Sequence, residues 1–208
     1  MKKIVANISV DESSKDSKVY LNKDVLTLLQ AVANVEKGYL SYADSNANAA
    51  DEDIIIQIER VFAYELYHQW SLLKDENLIL NGEIGKFYVK DNCYPDLVLH
   101  GGQNDPNNNK IVVEIKRECM VKGKPDAILD DLEKLSFFLE TLENNKQQIK
   151  FRNYENAVFI LLKGKLSEIS DALKDEKASG KKISDNIICI TYNEKKEICI
   201  SCVGDLKK

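Results

Sequence analysis

Residues 94–118 read YPDLVLHGGQNDPNNNKIVVEIKRE, and this stretch decides which fold the sequence predicts. Two apolar runs, residues 97–99 (LVL) and 111–113 (IVV), flank a polar connection that contains glycines, asparagines and Asp105-Pro106. Turn-forming residues between two β-rich runs are typical of a hairpin with a loop. We therefore expect two neighbouring strands joined by this connection.

The pairing of these two strands can be predicted from the loop. If the loop is symmetric about Asp105, the opposed pairs are His100 with Lys110, Val98 with Val112, and Asp96 with Glu114. Side chains alternate between the two faces of a strand, so Glu114 and Lys116 share a face. Because directly opposed residues lie about 5 Å apart, we expect two carboxylates and an ammonium group to share one patch.

The like charges in this patch need a compensating ion, unless the residues have ordinary structural roles. Like charges placed opposite each other destabilise a sheet, and a divalent metal ion would compensate them. Asp96 follows a proline and can also be an ordinary acid at the start of a strand. Glu114 beside Lys116 can also form the solvated face of an edge strand.

Pro95-Asp96, followed after a turn by Glu114-Ile115-Lys116, resembles the signature of the PD-(D/E)XK nuclease superfamily, which has the restriction-endonuclease-like fold. The resemblance covers roughly residues 53–139 in the order of elements, but only a handful of residues in identity. Its context is a helix before the motif, a strand after Pro-Asp, a strand ending in Glu-x-Lys, and a helix after it. The sequence predicts all four.

The resemblance implies a metal-dependent nuclease that hydrolyses phosphodiester bonds, in DNA rather than RNA. It implies that Asp96 and Glu114 bind Mg²⁺, for which Mn²⁺ can substitute, and that Ile115 offers its backbone carbonyl. Oxygen ligands of this kind suit magnesium, which also retains several waters. Lys116 would contact the attacking water or the scissile phosphate.

The helix predicted over residues 51–72 offers a further acid. Glu65 lies at the edge of the apolar stripe of this helix, where a carboxylate is costly to bury unless it is paired or metal-bound. In the resembled family the helix before the sheet often supplies an acid to the metal site. We therefore expect Glu65 to be a catalytic residue and metal ligand that holds a second ion or a metal-bound water. Glu59 is the next candidate, and the alternative for Glu65 is a rim glutamate in water.

Basic residues surround the motif, although the whole chain is mildly acidic. Residues 110–124 contain five basic and two acidic residues, while the formal net charge of the chain is -5. This net charge argues against a basic coat over the whole surface, but not against a local basic cleft. The residues expected to contact nucleic acid are Arg117, Lys122, Lys124 and Lys134.

The helix predicted from Pro125 carries two further charged residues. Asp131 and Lys134 lie one turn apart along one flank of its apolar stripe. They can face the cleft, where members of the resembled family often place polar residues. The alternative is an ordinary solvated ion pair.

Length and composition indicate one globular domain with an extension. The chain has 208 residues, of which 44% are hydrophobic and 30% are charged. From residue 51 the predicted order is helix, strands, helix, strand, helix, strands, which favours a three-layer α/β/α sandwich with a central mixed β-sheet. With the resemblance, this predicts a restriction-endonuclease-like core over residues 51–208. Residues 1–50 are predicted to be an N-terminal extension with one helix packed on the core.

Cysteine usage and hydropathy give expectations about compartment and partners. Five cysteines, an odd number, without a secretion signal indicate reduced thiols and a cytoplasmic protein. No stretch approaches the ~18 apolar residues of a membrane span, so no membrane contact is expected. The expected partner is nucleic acid, with a protein partner or a homodimer as further options.

Two rival interpretations of the sequence remain open. The first is a non-catalytic nuclease-like module that binds nucleic acid or a protein partner, because a fold alone does not fix function. The second is a plain α/β domain in which Asp96, Glu114 and Lys116 coincide by chance. Metal binding and cleavage would separate these interpretations from an active nuclease.

Overall fold

The computed structural model describes residues 8–10, 21–36, 38–41, 52–82, 94–102, 108–118, 124–140, 153–193 and 195–208. These residues form a seven-stranded mixed sheet with helices on both faces. Asp105 and Lys122 lie outside the described residues.

The regular structure of the described residues consists of seven strands and seven helices. The strands are β1 (Ile8–Val10), β2 (Ile79–Gly82), β3 (Leu97–His100), β4 (Asn109–Arg117), β5 (Asn156–Leu162), β6 (Ile188–Tyr192) and β7 (Ile198–Cys202). The helices are α1 (Lys23–Asn34), α2 (Gly38–Ser41), α3 (Glu52–Ser71), α4 (Pro125–Leu139), α5 (Leu166–Lys174), α6 (Glu176–Ser179) and α7 (Val203–Leu206). Among these helices, none combines the length and the apolar character that crossing a membrane requires.

The sheet has the order β1-β7-β6-β5-β4-β3-β2. The pairs β1–β7, β4–β5 and β5–β6 are parallel, and the other neighbours are antiparallel. β4 therefore lies inside the sheet, between β3 and β5. The alternative that Glu114 belongs to the solvated face of an edge strand is wrong for this reason.

Apolar side chains attach a layer of helices to each face of the sheet. On the first face, α1 and α3 pack onto the strands, and α3 buries Phe62 and Trp70 there. On the second face, α4 and α5 pack onto the strands, and α4 buries Leu132. Alternation along β4 directs Val113 to the first face and Val112 to the second. The predicted α/β class with a mixed sheet is confirmed.

Residues of the predicted N-terminal extension contribute to this core. β1 pairs with β7, and α1 packs against α3. Asn22 caps α1, since its side-chain oxygen accepts a hydrogen bond from the N–H of Val25 at 2.9 Å. The Tyr192 hydroxyl on β6 donates to the Val35 carbonyl at 3.0 Å, which ties the end of α1 to the sheet.

The observed register of β3 and β4 agrees with the prediction at one end and differs at the other. Val98 lies opposite Val112, as expected. His100 lies opposite Asn109 and not opposite Lys110, because the register shifts between Leu99 and His100. The predicted pairing of His100 with Lys110 is therefore wrong. At the other end the ladder stops at Leu97 opposite Val113, one residue short of the predicted pair of Asp96 and Glu114.

Replacing Tyr192 by phenylalanine is expected to lower the free energy of unfolding by about 1–3 kcal/mol, because the carbonyl of Val35 loses a buried donor. Tyr64→Phe is the matched control, since Tyr64 is 65% exposed and surface substitutions usually change stability by less than about 0.5 kcal/mol. Urea denaturation followed by circular dichroism measures both variants. Equal stability of the two variants would contradict the role given to Tyr192.

Candidate active site

β4 continues past the start of β3, which leaves backbone donors without a neighbouring strand. β3 begins at Leu97, and alternate residues of a strand direct their N–H groups toward the same neighbour. The N–H groups of Ile115 and Arg117 therefore face the space beyond β3, and buried N–H groups need acceptors. Asp96 Oδ2 accepts from the N–H of Ile115 at 2.7 Å, and Glu59 Oε1 accepts from the N–H of Arg117 at 2.8 Å.

Glu114 and Lys116 project from β4 to the second face, toward α4. Lys134 Nζ lies 2.6 Å from Glu114 Oε1, and Lys116 Nζ lies 3.1 Å from Asp131 Oδ2. Both contacts are ion pairs between a lysine and a largely buried carboxylate. The alternative that Asp131 and Lys134 form a solvated pair with each other is wrong, since each pairs with a residue of β4.

The strand end, α3 and α4 together bring six charged residues into one region. We call this group the charged cluster, and its members are Glu59, Asp96, Glu114, Lys116, Asp131 and Lys134. Asp96 lies beside the residue that follows Glu114, since it accepts the Ile115 N–H at 2.7 Å, and its carboxylate adds to the rise in the pKa of Glu114. Four carboxylates face two ammonium groups, so the fully ionised cluster carries excess negative charge.

Burial makes this negative charge costly. Burial of Glu114, whose side chain is 5% exposed, raises its pKa well above the usual value, and the Asp96 carboxylate adds to the rise while Lys134 opposes it. Burial also raises the pKa of Asp96, against the hydrogen bond it accepts from the backbone. Burial raises the pKa of Glu59 to about 7, again against a backbone hydrogen bond. The cluster therefore attracts protons and other cations.

Lys116 retains its charge in this environment. Burial by itself lowers the pKa of an ammonium group, but the carboxylates of Asp131 and Glu59 outweigh burial and raise the pKa of Lys116. The side chain is 24% exposed. A charged ammonium group is thus held beside the acids and remains accessible to a bound anion.

The residues of the cluster fit a magnesium ion through a small number of protein ligands. Magnesium is commonly held by one or two carboxylates and retains waters. Asp96 and Glu114 are the acids placed for this, and the carbonyl of Ile115 faces the same side of β4 as the N–H that binds Asp96. Across the described residues, no group of three or more His, Cys, Asp and Glu side chains is arranged to hold a metal ion. Water would therefore supply most of the remaining ligands.

Glu65 is not brought to the charged cluster, which corrects its prediction as a catalytic residue and metal ligand. It lies six residues after Glu59 on α3, about 9 Å further along the helix and on another side. Glu65 Oε1 accepts from Gln69 Nε2 at 2.7 Å, and Glu65 Oε2 lies 3.6 Å from His68 Nδ1. The Glu65 carboxylate also raises the pKa of Tyr39. Glu59, the next candidate, occupies the predicted place.

The residues predicted to contact nucleic acid fall into different environments. Arg117 is 6% exposed and points to the first face, so it is a buried cation and not the surface contact that was predicted. Lys134 is 21% exposed on its side chain and pairs with Glu114. Lys124 is exposed immediately before α4. Lys122 lies outside the described residues.

Two signals in the sequence could have identified the missed residues. Around the axis of α3, Glu59 lies about 20° from the buried Leu66 and so belongs to the buried stripe, whereas Glu65 lies about 100° from Leu66, at the edge of the stripe. A carboxylate within a buried stripe is more significant than one at its edge. Asp131 and Lys134 carry charges complementary to those of β4, but their partners depend on how α4 packs.

Glu59→Gln is expected to change how stability depends on pH. The pKa of Glu59 is about 7 in the folded chain, against 4.5 for the ordinary group. The folded state therefore binds the extra proton between these values, and the free energy of unfolding falls by about 3 kcal/mol as the pH rises through this range. The Glu59→Gln variant does not lose stability in this way. Its free energy of unfolding relative to that of the wild type therefore rises from about pH 4.5 to about pH 7.

Urea denaturation at several pH values in EDTA measures this difference. Glu76→Gln, at an exposed position on the chain after α3, is the control and is expected to follow the wild type. A difference between Glu59→Gln and the wild type that stays constant with pH would contradict the environment assigned to Glu59.

The residues of the charged cluster determine which ligands it can bind. Buried carboxylates beside a charged ammonium group can bind a divalent cation and contact a phosphate. Asp96, Glu114 and Lys116 are the cluster members that belong to the motif quoted above. Comparisons of the chain with models of known families, with curated proteins and with solved structures found no match.

Proposed function

We propose that this chain is a magnesium-dependent nuclease with a restriction-endonuclease-like core, which hydrolyses phosphodiester bonds in DNA. The observation that carries the proposal is that Asp96, Glu114 and Lys116 meet in one buried cluster with a further acid, Glu59. The choice of magnesium, with manganese as a substitute, and of DNA over RNA rests on the resemblance of the motif.

The order of elements around the cluster supports this core. α3 precedes the motif, Asp96 stands directly before β3, and Glu114 and Lys116 lie near the end of β4. α4 follows and packs on the second face, and the parallel strand β5 comes next. This is the arrangement that the resemblance predicts for the motif.

Each residue of the cluster has a distinct task in the proposed reaction. A divalent cation, when bound, supplies an activated water and neutralises charge on the phosphate. Asp96 and Glu114 hold that cation, and the carbonyl of Ile115 adds a neutral oxygen ligand. Lys116 stays protonated and contacts the scissile phosphate or the attacking water. Glu59, with a pKa of about 7, orients a water and can accept its proton near neutral pH.

A non-catalytic module that binds nucleic acid or a protein is the second candidate. One observation favours it: every acid of the charged cluster already contacts a cation or a backbone donor of the chain itself. Asp96 and Glu59 accept backbone N–H groups, while Glu114 and Asp131 pair with lysines. A cluster in which every acid has such a partner can serve as a structural junction.

Lys116→Ala is expected to slow metal-dependent cleavage by about 100-fold or more, because a charge that stabilises the transition state is lost. The substrates are linear duplex, circular duplex and single-stranded DNA, with RNA alongside, in magnesium, manganese or EDTA. Lys110→Ala is the matched control, since Lys110 also lies on β4, is similarly exposed at 23% and pairs with Glu155. It is expected to cleave at the wild-type rate.

Two results would contradict this assignment. Cleavage by Lys116→Ala at the rate of Lys110→Ala would remove Lys116 from the reaction. Absence of cleavage by the pure wild type on every substrate would favour the non-catalytic module.

Glu59→Gln and Glu65→Gln provide a matched pair on one helix. Glu59→Gln is expected to lower the cleavage rate by about 100-fold or more through loss of a proton acceptor. Glu65→Gln is expected to stay within about twofold of the wild type, because Glu65 lies outside the charged cluster. Initial rates on the best substrate measure both. The reverse order of the two rates would restore Glu65 as the acid of the site.

A further inference from the structure

We propose that Lys134 is a built-in counter-ion that competes with the divalent cation for Glu114 and thereby sets the affinity of the site for that cation. This inference rests on the proposed function and deepens it. The observation behind it is that Lys134 Nζ lies 2.6 Å from Oε1 of Glu114, one of the two carboxylates proposed to hold the cation.

The ionised carboxylate of Glu114 needs a positively charged partner. Its side chain is 5% exposed, and its Oε1 lies 2.6 Å from the ammonium nitrogen of Lys134. Asp96 lies close enough to act on its ionisation and adds a second negative charge. An ionised carboxylate in this position requires a cation, either the ammonium group of Lys134 or one from solution.

Lys134 can leave this position more easily than Glu114 can. Its side chain is 21% exposed, compared with 5% for Glu114. A lysine stem can swing its ammonium group toward water while its methylene groups remain packed. Glu114 sits on β4 between two neighbouring strands and has no such freedom. The ammonium group is therefore the exchangeable member of the pair.

An ammonium group and a divalent ion cannot share Glu114 without cost. At a separation of a few ångströms, like charges repel each other strongly at the effective dielectric of a protein. Binding of the divalent ion therefore displaces Lys134, and the affinity for the ion is reduced by the strength of the displaced contact.

Calorimetric titration with MgCl₂ tests the proposal on the full chain. Lys134→Gln is expected to bind Mg²⁺ about tenfold more tightly than the wild type or better, whereas Lys134→Arg keeps the positive charge and is expected to bind as the wild type does. Lys110→Gln is the control, since it removes one positive charge from β4 at a position four residues from Glu114, and its affinity is expected to stay within about twofold of the wild type. Circular dichroism checks that each variant is folded.

A second measurement on the wild type does not depend on the folding of a variant. The side-chain NMR signals of Lys134 are expected to shift as Mg²⁺ is added, while those of Lys110 stay constant. Equal or weaker Mg²⁺ affinity of Lys134→Gln would overturn the proposal, and so would Lys134 signals that do not move at saturating Mg²⁺. Absence of Mg²⁺ binding by both proteins would overturn it together with the magnesium site.

The cleavage assay separates this proposal from the proposed function. Tighter Mg²⁺ binding by Lys134→Gln without cleavage by the wild type would support the counter-ion and remove the nuclease. Mg²⁺-dependent cleavage by the wild type with unchanged affinity in Lys134→Gln would support the nuclease and remove the counter-ion.

Discussion

Two backbone N–H groups at the end of β4 determine where the acids of this protein gather. β3 begins too late to cover Ile115 and Arg117, and buried donors without acceptors are costly. The chain covers them with the side chains of Asp96 and Glu59. Asp96 precedes β3 and Glu59 comes from α3, so one strand end holds together segments that are far apart in sequence.

Apolar packing, and not the charged cluster, accounts for the stability of this arrangement. Both faces of the sheet carry continuous buried clusters that include the helices α1, α3, α4 and α5. A buried ion pair gains little net free energy, because each charge loses its hydration. The pairs Glu114–Lys134 and Lys116–Asp131 therefore fix the orientation of α4 on β4 more than they hold it there. The packed core offsets the cost of burying these acids, which is the cost that raises their pKa values.

Sequence patterns within a strand or a hairpin predicted the features that depend on residues close together in the chain. Strand alternation and the loop predicted the pairing of Val98 with Val112 and the approach of Asp96 to Glu114. Alternation also places Arg117 on the same face as Val113, so the sequence could have predicted that Arg117 is buried.

The features that the sequence did not predict depend on how helices, strands and loops pack against one another. The shift at His100 accompanies a hydrogen bond from Gly101 N–H to the Asn108 carbonyl at 2.8 Å, which no strand pattern predicts. The choice of Glu59 over Glu65 depends on the rotation of α3 against β4. The partners of Asp131 and Lys134 depend on the packing of α4. A structural junction at the strand end needs acceptors for the two N–H groups, which Asp96 and Glu59 supply, whereas Glu114 and Asp131 pair with lysines instead. These two acids raise the cost of the cluster without serving the backbone, and buried groups of this kind are concentrated at sites of chemistry. That surplus of buried carboxylate favours a cation-dependent function over a purely structural one.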